Sequence, residues 1–309
     1  MDAVTGIQYE LTAETKAGPA RVVVTEVAAG LRVYTVNGQD VTEPYPETAQ
    51  RPKGCGAILV PWPNRVRDGR WQYQGETLQL ALTEPAKGNA IHGLLRYAPY
   101  RETAHTTSSI TLAATVFPQL GYPFHLDSSV TYDLSDDGLQ VTHHMRNVGA
   151  TDAPVAIGAH PYLRVGDVPS GDLTLTAAAA THVDVDDRSN PVGETPVEGT
   201  GYDLRGGRRV GELDLDDGFA DVTMRDGRVE HSVAADDGRR VTLWGDENMR
   251  FVQVFTPHSF PGIDGETKQA VAIEPMTAPA DALNSGIGIR WLAPGETWTV
   301  RWGIRADGF

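Results

Sequence analysis

Residues 128–148 read SSVTYDLSDDGLQVTHHMRNV, and the spacing of their apolar side chains decides the fold. Val130, Tyr132 and Leu134 alternate with polar residues, and Leu139, Val141 and Met145 keep an even step after the turn-forming Ser-Asp-Asp-Gly at 135–138. Successive side chains of an extended chain point to opposite faces, so a period of two makes one apolar and one polar face. An Asp-Gly pair between two such runs predicts a tight antiparallel connection. The segment reads as a β-hairpin.

The same alternation recurs in RVVVTEV (21–27), SITLAATV (109–116), RRVTLWG (239–245), RFVQVFT (250–256) and TWTVRWGI (297–304), all rich in Val, Thr, Ile and aromatic residues. ADDG at 235–238 and APGE at 293–296 supply further hairpin connections. No window keeps a helical apolar period for three turns, and APADALNSG (278–286) predicts at most one short helical turn ended by Gly286. Many strands without crossover helices favour two large antiparallel sheets packed face to face, an all-β sandwich over residues 1–309 as one domain. A closed barrel is the alternative. The Asp- and Gly-rich stretch 184–221 departs from strand patterning and reads as a long excursion over one face.

Composition narrows the function. With 41 Asp and Glu against 26 Lys and Arg, the formal net charge is −15, which opposes binding to phosphate backbones and anionic membrane surfaces. Nucleic acid and membrane are therefore not expected partners. The single Cys55 excludes an internal disulfide, and the amino-terminal MDAVTGIQYELTAETK has neither a basic start nor an apolar core, which points to the cytoplasm. The longest apolar pieces, such as GAILVPW (56–62), fall far short of the roughly 18 residues a spanning helix needs.

Several chemistries are unsupported. No CxxC, HExxH or spaced Cys/His set is present, so no metal is expected. His143 and His144 are adjacent on a predicted strand and point to opposite faces. DLDDGFAD (214–221) has Phe219 where a calcium loop needs its sixth-position Gly. There is no GxSxG elbow, no phosphate-binding Gly-rich motif, and no base near Cys55 in KGCGAI. Carboxylate and imidazole chemistry remains.

Four segments concentrate such groups: VPWPNRVRDGRW (60–71), NAIHGLLR (89–96), AIGAHPYL (156–163) and VAIEPMTAPADALN (271–284). Each has a plain structural reading. His160 and His92 would be satisfied core histidines, Arg65 would pair with Asp68, and Glu274 would anchor the turn at Pro275 where a strand leaves its sheet.

Together the four segments resemble the aldose 1-epimerase (mutarotase) family over most of the chain. PNRVRDGRW is similar to the family's Asn-Arg-hydrophobic segment, NAIHG to its Asn-x-x-His-Gly, HPYL to its His-x-Tyr, and EPMTAPADALN to its Glu-bearing strand end. Asp216, three residues before Phe219, resembles the family's sugar-binding Asp, with Asp214 and Asp217 as competitors. The Met-Thr after Glu274-Pro275 and the Pro-Trp-Pro before Asn64 resemble the family's uncharacterised bacterial branch. The resemblance implies a large antiparallel sandwich with an open sugar-binding groove and anomer interconversion of a free aldohexose without cofactor. It further implies Glu274 as general base, His160 as general acid, and Arg65, His92, Asp216 and Tyr162 as sugar contacts. Trp62 and Tyr97 are candidate apolar walls. Two other functions are compatible: a hexose 6-phosphate 1-epimerase using Arg67, Arg70 and Arg96, and a sugar-binding protein without turnover. A glycosidase would need a second carboxylate flanking the bond. The expected partner is a small-molecule sugar, and the expected assembly a monomer or homodimer.

The chemistry explains the residue types. Opening a cyclic hemiacetal removes the proton on O1 and delivers one to the ring oxygen, so an acid and a base must flank one sugar. A free Glu, with a pKa near 4.3, is a weak base unless burial raises it.

Overall fold

The computed structural model describes residues 3–309. The chain forms a β-sandwich of two large antiparallel sheets, of ten and eight strands, with a four-stranded sheet built from the first strands. The hairpin is present as expected: Leu126–Ser135 pairs with Gly138–Asn147 from Ser135 opposite Gly138 to Leu126 opposite Asn147. His143 is buried and accepts a 2.8 Å hydrogen bond from Trp302 Nε1, while His144 turns to the other face and meets Thr299 Oγ1 at 2.9 Å. Thr297–Asp307 continues the sheet beyond this hairpin, followed by Arg240–Gly245 and Arg228–Ala234.

The second sheet runs Pro191–Pro196, Ala179–Val185, Asp216–Val222, Phe251–Phe255, Val271–Met276, Gly158–Ala159 and Ile58–Leu59, with Tyr162–Leu163 also on Val271–Met276. Its inward residues, among them Phe219, Val252, Val254, Val271 and Ile273, join Val130, Val141, Val300 and Ile304 of the ten-stranded sheet in one apolar cluster. Removing each such side chain from water is worth about 1.5–3 kcal/mol, which holds the two sheets face to face.

Three local expectations are corrected. The stretch 184–221 is no simple excursion: Ala179–Val185, Pro191–Pro196 and Asp216–Val222 are strands of the eight-stranded sheet, and Arg208–Arg209 joins the other. Pro191–Pro196 is an edge strand exposed along most of its length and so has no apolar face to alternate, whereas Asp216–Val222 lies inside the sheet between Ala179–Val185 and Phe251–Phe255. APGE does not close a hairpin, because Arg290–Leu292 pairs with Ala153–Val155 while Thr297–Asp307 lies in the large sheet. Glu274 is not at a strand exit: Val271–Met276 runs on past it, buried throughout, in the interior of its sheet. The helical turn is as read, Ala282–Ser285 ending on Gly286 at φ 75°.

Candidate active site

Register places the polar residues. Gly218 pairs with Gln253, and Gln253 with Glu274, so these three positions form one row across three strands. On the other side of Val271–Met276, Gly158 stands opposite Met276 and Tyr162 opposite Ala272. The same antiparallel register sets His160, midway between those pairs, opposite Glu274. Directly opposed side chains share a face at close range. That face is the outward one, since Val271 and Ile273 on either side of Ala272 point into the core. Asp216, paired with Phe255, takes the next row on the same outward face.

His160 Nε2 lies 3.4 Å from Glu274 Oε1. His160 is 4% exposed and Glu274 2%, and the second polar atom of each, Nδ1 and Oε2, has no hydrogen-bond partner. Gly54 makes room for the imidazole: a Cβ there would come within 2.7 Å of His160 Cδ2. Behind His160, the ring of Tyr162 stacks at 5.2 Å and 15°, and its hydroxyl donates to the Lys53 carbonyl at 3.1 Å.

The loop before Gly93 brings in His92. Arg65–Val66 pairs with Ala90–Ile91, and His92 N donates to Asn64 O at 2.9 Å. His92 adopts φ 61°, and at Gly93 a Cβ would strike the Val60 carbonyl oxygen at 2.0 Å, so only glycine fits this close crossing. Asn64 N donates to His92 Nδ1 at 3.3 Å. Acceptance at Nδ1 leaves the proton of a neutral ring on Nε2. The His92 and His160 rings meet edge to face at 5.5 Å.

Arg65 is held by two carboxylates. Its Nε and Nη2 donate to Glu84 at 2.9 and 3.1 Å, and Nη2 also to Asp216 Oδ2 at 3.0 Å. Gln253 Nε2 donates to Asp216 Oδ1 at 2.9 Å, and Gln253 Oε1 accepts from Asn64 Nδ2 at 3.1 Å. Lys87 Nζ lies 3.6 Å from Asp216. The expected Arg65–Asp68 pair does not form, as Asp68 binds Arg188 instead.

Burial sets the titration. It pushes the Glu274 carboxyl well above its usual value, with Asp216 adding to the rise and Arg65 opposing it. It lowers the His160 imidazolium to about 4, against which its own backbone carbonyl and Asp216 work. His92 falls well below its ordinary value through burial, then through His160 and nearby arginines. Burial would raise Asp216, but Arg65 and Lys87, with hydrogen bonds from Arg65 and Gln253, outweigh it and hold the carboxyl low.

These groups line a groove of about 410 Å³ that contains Arg65, His92, His160, Asp216 and Glu274. Five of the six residues expected at the site are thus brought together. Tyr162 is the exception, fully buried behind His160 and outside the lining. Of the three aspartates, Asp214 is on the surface and Asp217 binds His182 at 2.7 Å. Tyr97 is a groove wall, whereas Trp62 is 2% exposed and lines a separate cleft with Leu80 and Leu94. Arg96 lines the groove, but Arg67 turns to Asp186 and Asp281, and Arg70 to Gln79.

Gln253, Glu84, Lys87, Arg51 and Lys53 join the site without having been singled out in the sequence. Gln253 carried a signal, being the polar residue of the strand RFVQVFT, whereas the others lie in segments with no pattern. His92, His160 and Glu274 also offer ligand atoms within 4.8 Å of one another. Two imidazoles and a carboxylate suit a divalent transition ion, a set that sequence spacing hides because three separate segments supply it.

The sequence profile of the aldose 1-epimerase family matches residues 11–305. The uncharacterised protein YihR of Escherichia coli K12 is 31% identical over 288 residues, covering 92% of this chain and 90% of that protein. A maltose epimerase of Levilactobacillus brevis is 26% identical over 242 residues, covering 71% and 69%. Among solved structures, a GalM/aldose epimerase homologue from C. elegans shares the fold with a TM-score of 0.84 at 20% identity, covering 97% of this chain and 99% of that one.

Proposed function

The chain belongs to the aldose 1-epimerase family, and on that premise we propose that it interconverts the α and β anomers of a free aldohexose, with Glu274 as base and His160 as acid. The family supports a carbohydrate epimerase in general. The assignment of roles rests on one observation, the opposed buried pair at 3.4 Å on the floor of the groove.

The transfers balance. Ionised Glu274 takes the proton from O1, protonated His160 gives one to the ring oxygen, and the C1–O5 bond breaks to leave an open aldehyde. Rotation about C1–C2 presents the other face of the carbonyl, and the reverse transfers close the ring in the opposite configuration. Nothing leaves, so no nucleophile is required. Burial raises Glu274 and lowers His160, which makes one a stronger base and the other a stronger acid than in water. After ring opening both side chains are neutral, the state their burial favours. The ionised and neutral forms of the pair differ only in where one proton sits, so the cycle exchanges none with solvent.

Arg65, His92 and Asp216 would orient the sugar: the His92 Nε2–H and the Arg65 guanidinium donate to hydroxyls, and Asp216 accepts. Their hydrogen-bond network fixes them before substrate arrives, which lowers the ordering cost of binding. Anomer exchange of glucose and galactose, followed by NMR, tests the proposal. Exchange well above the buffer rate supports it; sugar binding without exchange would make the protein a binder.

A further inference from the structure

We propose that His182, which lies outside the groove, is a positioning residue for the sugar: it orients Asp217, and Asp217 holds the backbone of Asp216 in place. The proposal rests on the reading given above that Asp216 accepts a sugar hydroxyl.

Asp216 is the first residue of its strand, and the two sides of the chain there are held differently. Towards Phe251–Phe255, Leu215 N donates to Thr256 Oγ1 at 2.8 Å, and Leu215 O accepts from Thr256 N at 2.9 Å. Towards Ala179–Val185 the ladder ends at Val183 opposite Gly218, two residues short of Asp216. Beyond that end the Asp216 N–H donates to Asp217 Oδ2 at 3.1 Å. A side chain thus takes over the backbone donor where the neighbouring strand stops.

Asp217 is fixed in turn. Parity along the strand turns it to the face opposite Asp216, the face on which Phe219 joins the core. Its Oδ1 meets His182 Nε2 at 2.7 Å, and His182 Nδ1 meets Asp184 Oδ1 at 2.8 Å, so each ring nitrogen has a carboxylate to donate to. Asp184 is anchored by Thr195, whose hydroxyl donates to Oδ2 at 2.7 Å. Tyr202 covers the imidazole, stacked at 3.7 Å and 15°, and Phe219 meets it edge-on at 5.6 Å. A chain of oriented contacts therefore runs from Asp184 through His182 and Asp217 to the Asp216 backbone. It ends on the carboxylate that Arg65 and Gln253 grip in the groove.

Stability alone does not call for this arrangement. Removing charged groups from water costs about as much as their attraction returns, so an apolar pair at 182 and 217 would hold the two strands equally well. The polar chain adds direction. Hydrogen bonds behind a binding group keep it within about 0.5 Å of its working position.

The test uses two variants that each keep one half of the imidazole. The amide of His182→Gln reaches the place of Nε2 and can still donate to Asp217, whereas that of His182→Asn reaches the place of Nδ1 and can still donate to Asp184. Both lose the ring that stacks on Tyr202. KM and kcat for anomer exchange of glucose are measured with the thermal midpoint, beside Asp216→Asn and Tyr202→Leu. His182→Asn should raise KM about fivefold or more, the worth of one hydrogen bond, with kcat within about twofold, while His182→Gln keeps KM within about twofold of wild type. Tyr202→Leu should lower the thermal midpoint and leave KM unchanged. Equal KM values in the two His182 variants, whatever their midpoints, would overturn the proposal. Asp217→Ala reads the same link without altering His182, and an unchanged KM there would overturn it independently. A raised KM in Asp216→Asn with none in His182→Asn would remove the positioning role alone. An unchanged KM in Asp216→Asn would overturn Asp216 as a sugar contact and this proposal with it.

Discussion

Glu274 and His160 face each other from adjacent strands of one sheet, Oε1 and Nε2 3.4 Å apart, each buried and each with its second polar atom unpartnered. Two titratable groups in this position share one dissociable proton over a wide pH range. Below it both are protonated, and above it both are bare. The range opens at the lowered His160 value, about 4, and closes at the raised Glu274 value.

The pH profile of anomer exchange should follow that range. kcat/KM should form a plateau that falls on the acid side as Glu274 loses its role as base, and on the alkaline side as His160 loses its proton. The alkaline limb should lie above the ordinary carboxylate range. An alkaline limb inside the ordinary carboxylate range, or an acid limb well above the lowered His160 value of about 4, would contradict the paired roles.

Stability should depend on pH through the same carboxyl. Folding raises the Glu274 pKa, so its stabilisation is complete below the ordinary carboxylate value and is lost as pH climbs through the raised one. His160 acts oppositely: its lowered pKa costs stability as pH falls from 6.5 towards about 4. Above neutrality only the carboxyl matters. Glu274→Gln should therefore keep more of its thermal midpoint between about pH 7 and about pH 9 than the wild type does. Equal losses would contradict a buried protonated carboxyl.

Arg65→Lys should raise KM about tenfold or more with a smaller change in kcat. Lysine keeps the charge but loses the fork that spans Glu84 and Asp216. The alanine change would leave those carboxylates without their shared cation and mix a folding cost into the result. An unchanged KM in a folded Arg65→Lys would remove Arg65 from sugar binding.

Tyr162→Phe should leave KM within about twofold of wild type and cost about 1 kcal/mol of stability, because the lost hydroxyl serves only the Lys53 carbonyl. Steady-state kinetics beside thermal melting separate the two effects. A large rise in KM would restore Tyr162 as a sugar contact.

What the sequence made legible follows physical reach. Strands announce themselves through a period of two, so the hairpin at 126–147 and the strand around Gln253 were readable. The outward placement of Asp216 over Asp217 was a matter of parity along one strand, and became definite only once Asp216 was seen opposite Phe255. The opposition of His160 and Glu274 depends on pairing between segments more than a hundred residues apart, which no local pattern encodes. Tyr162 and Trp62 were misplaced because aromatic residues near a site serve equally as walls and as packing behind it.

Metal enters as an inhibitor in this account. Exchange should survive dialysis against EDTA, while zinc should inhibit in competition with sugar by capturing His92, His160 and Glu274 together. Loss of activity in EDTA with recovery on adding a divalent ion would contradict proton transfer by side chains alone.

The most direct measurement is kcat of Glu274→Gln, taken with its thermal midpoint on one sample. Glutamine keeps the shape of the side chain and removes the basic oxygen. A folded variant that binds sugar and loses about 10²–10⁴ in kcat is the predicted result. A folded variant with wild-type kcat would mean that Glu274 only supports the strand at Pro275, and would contradict the mechanism.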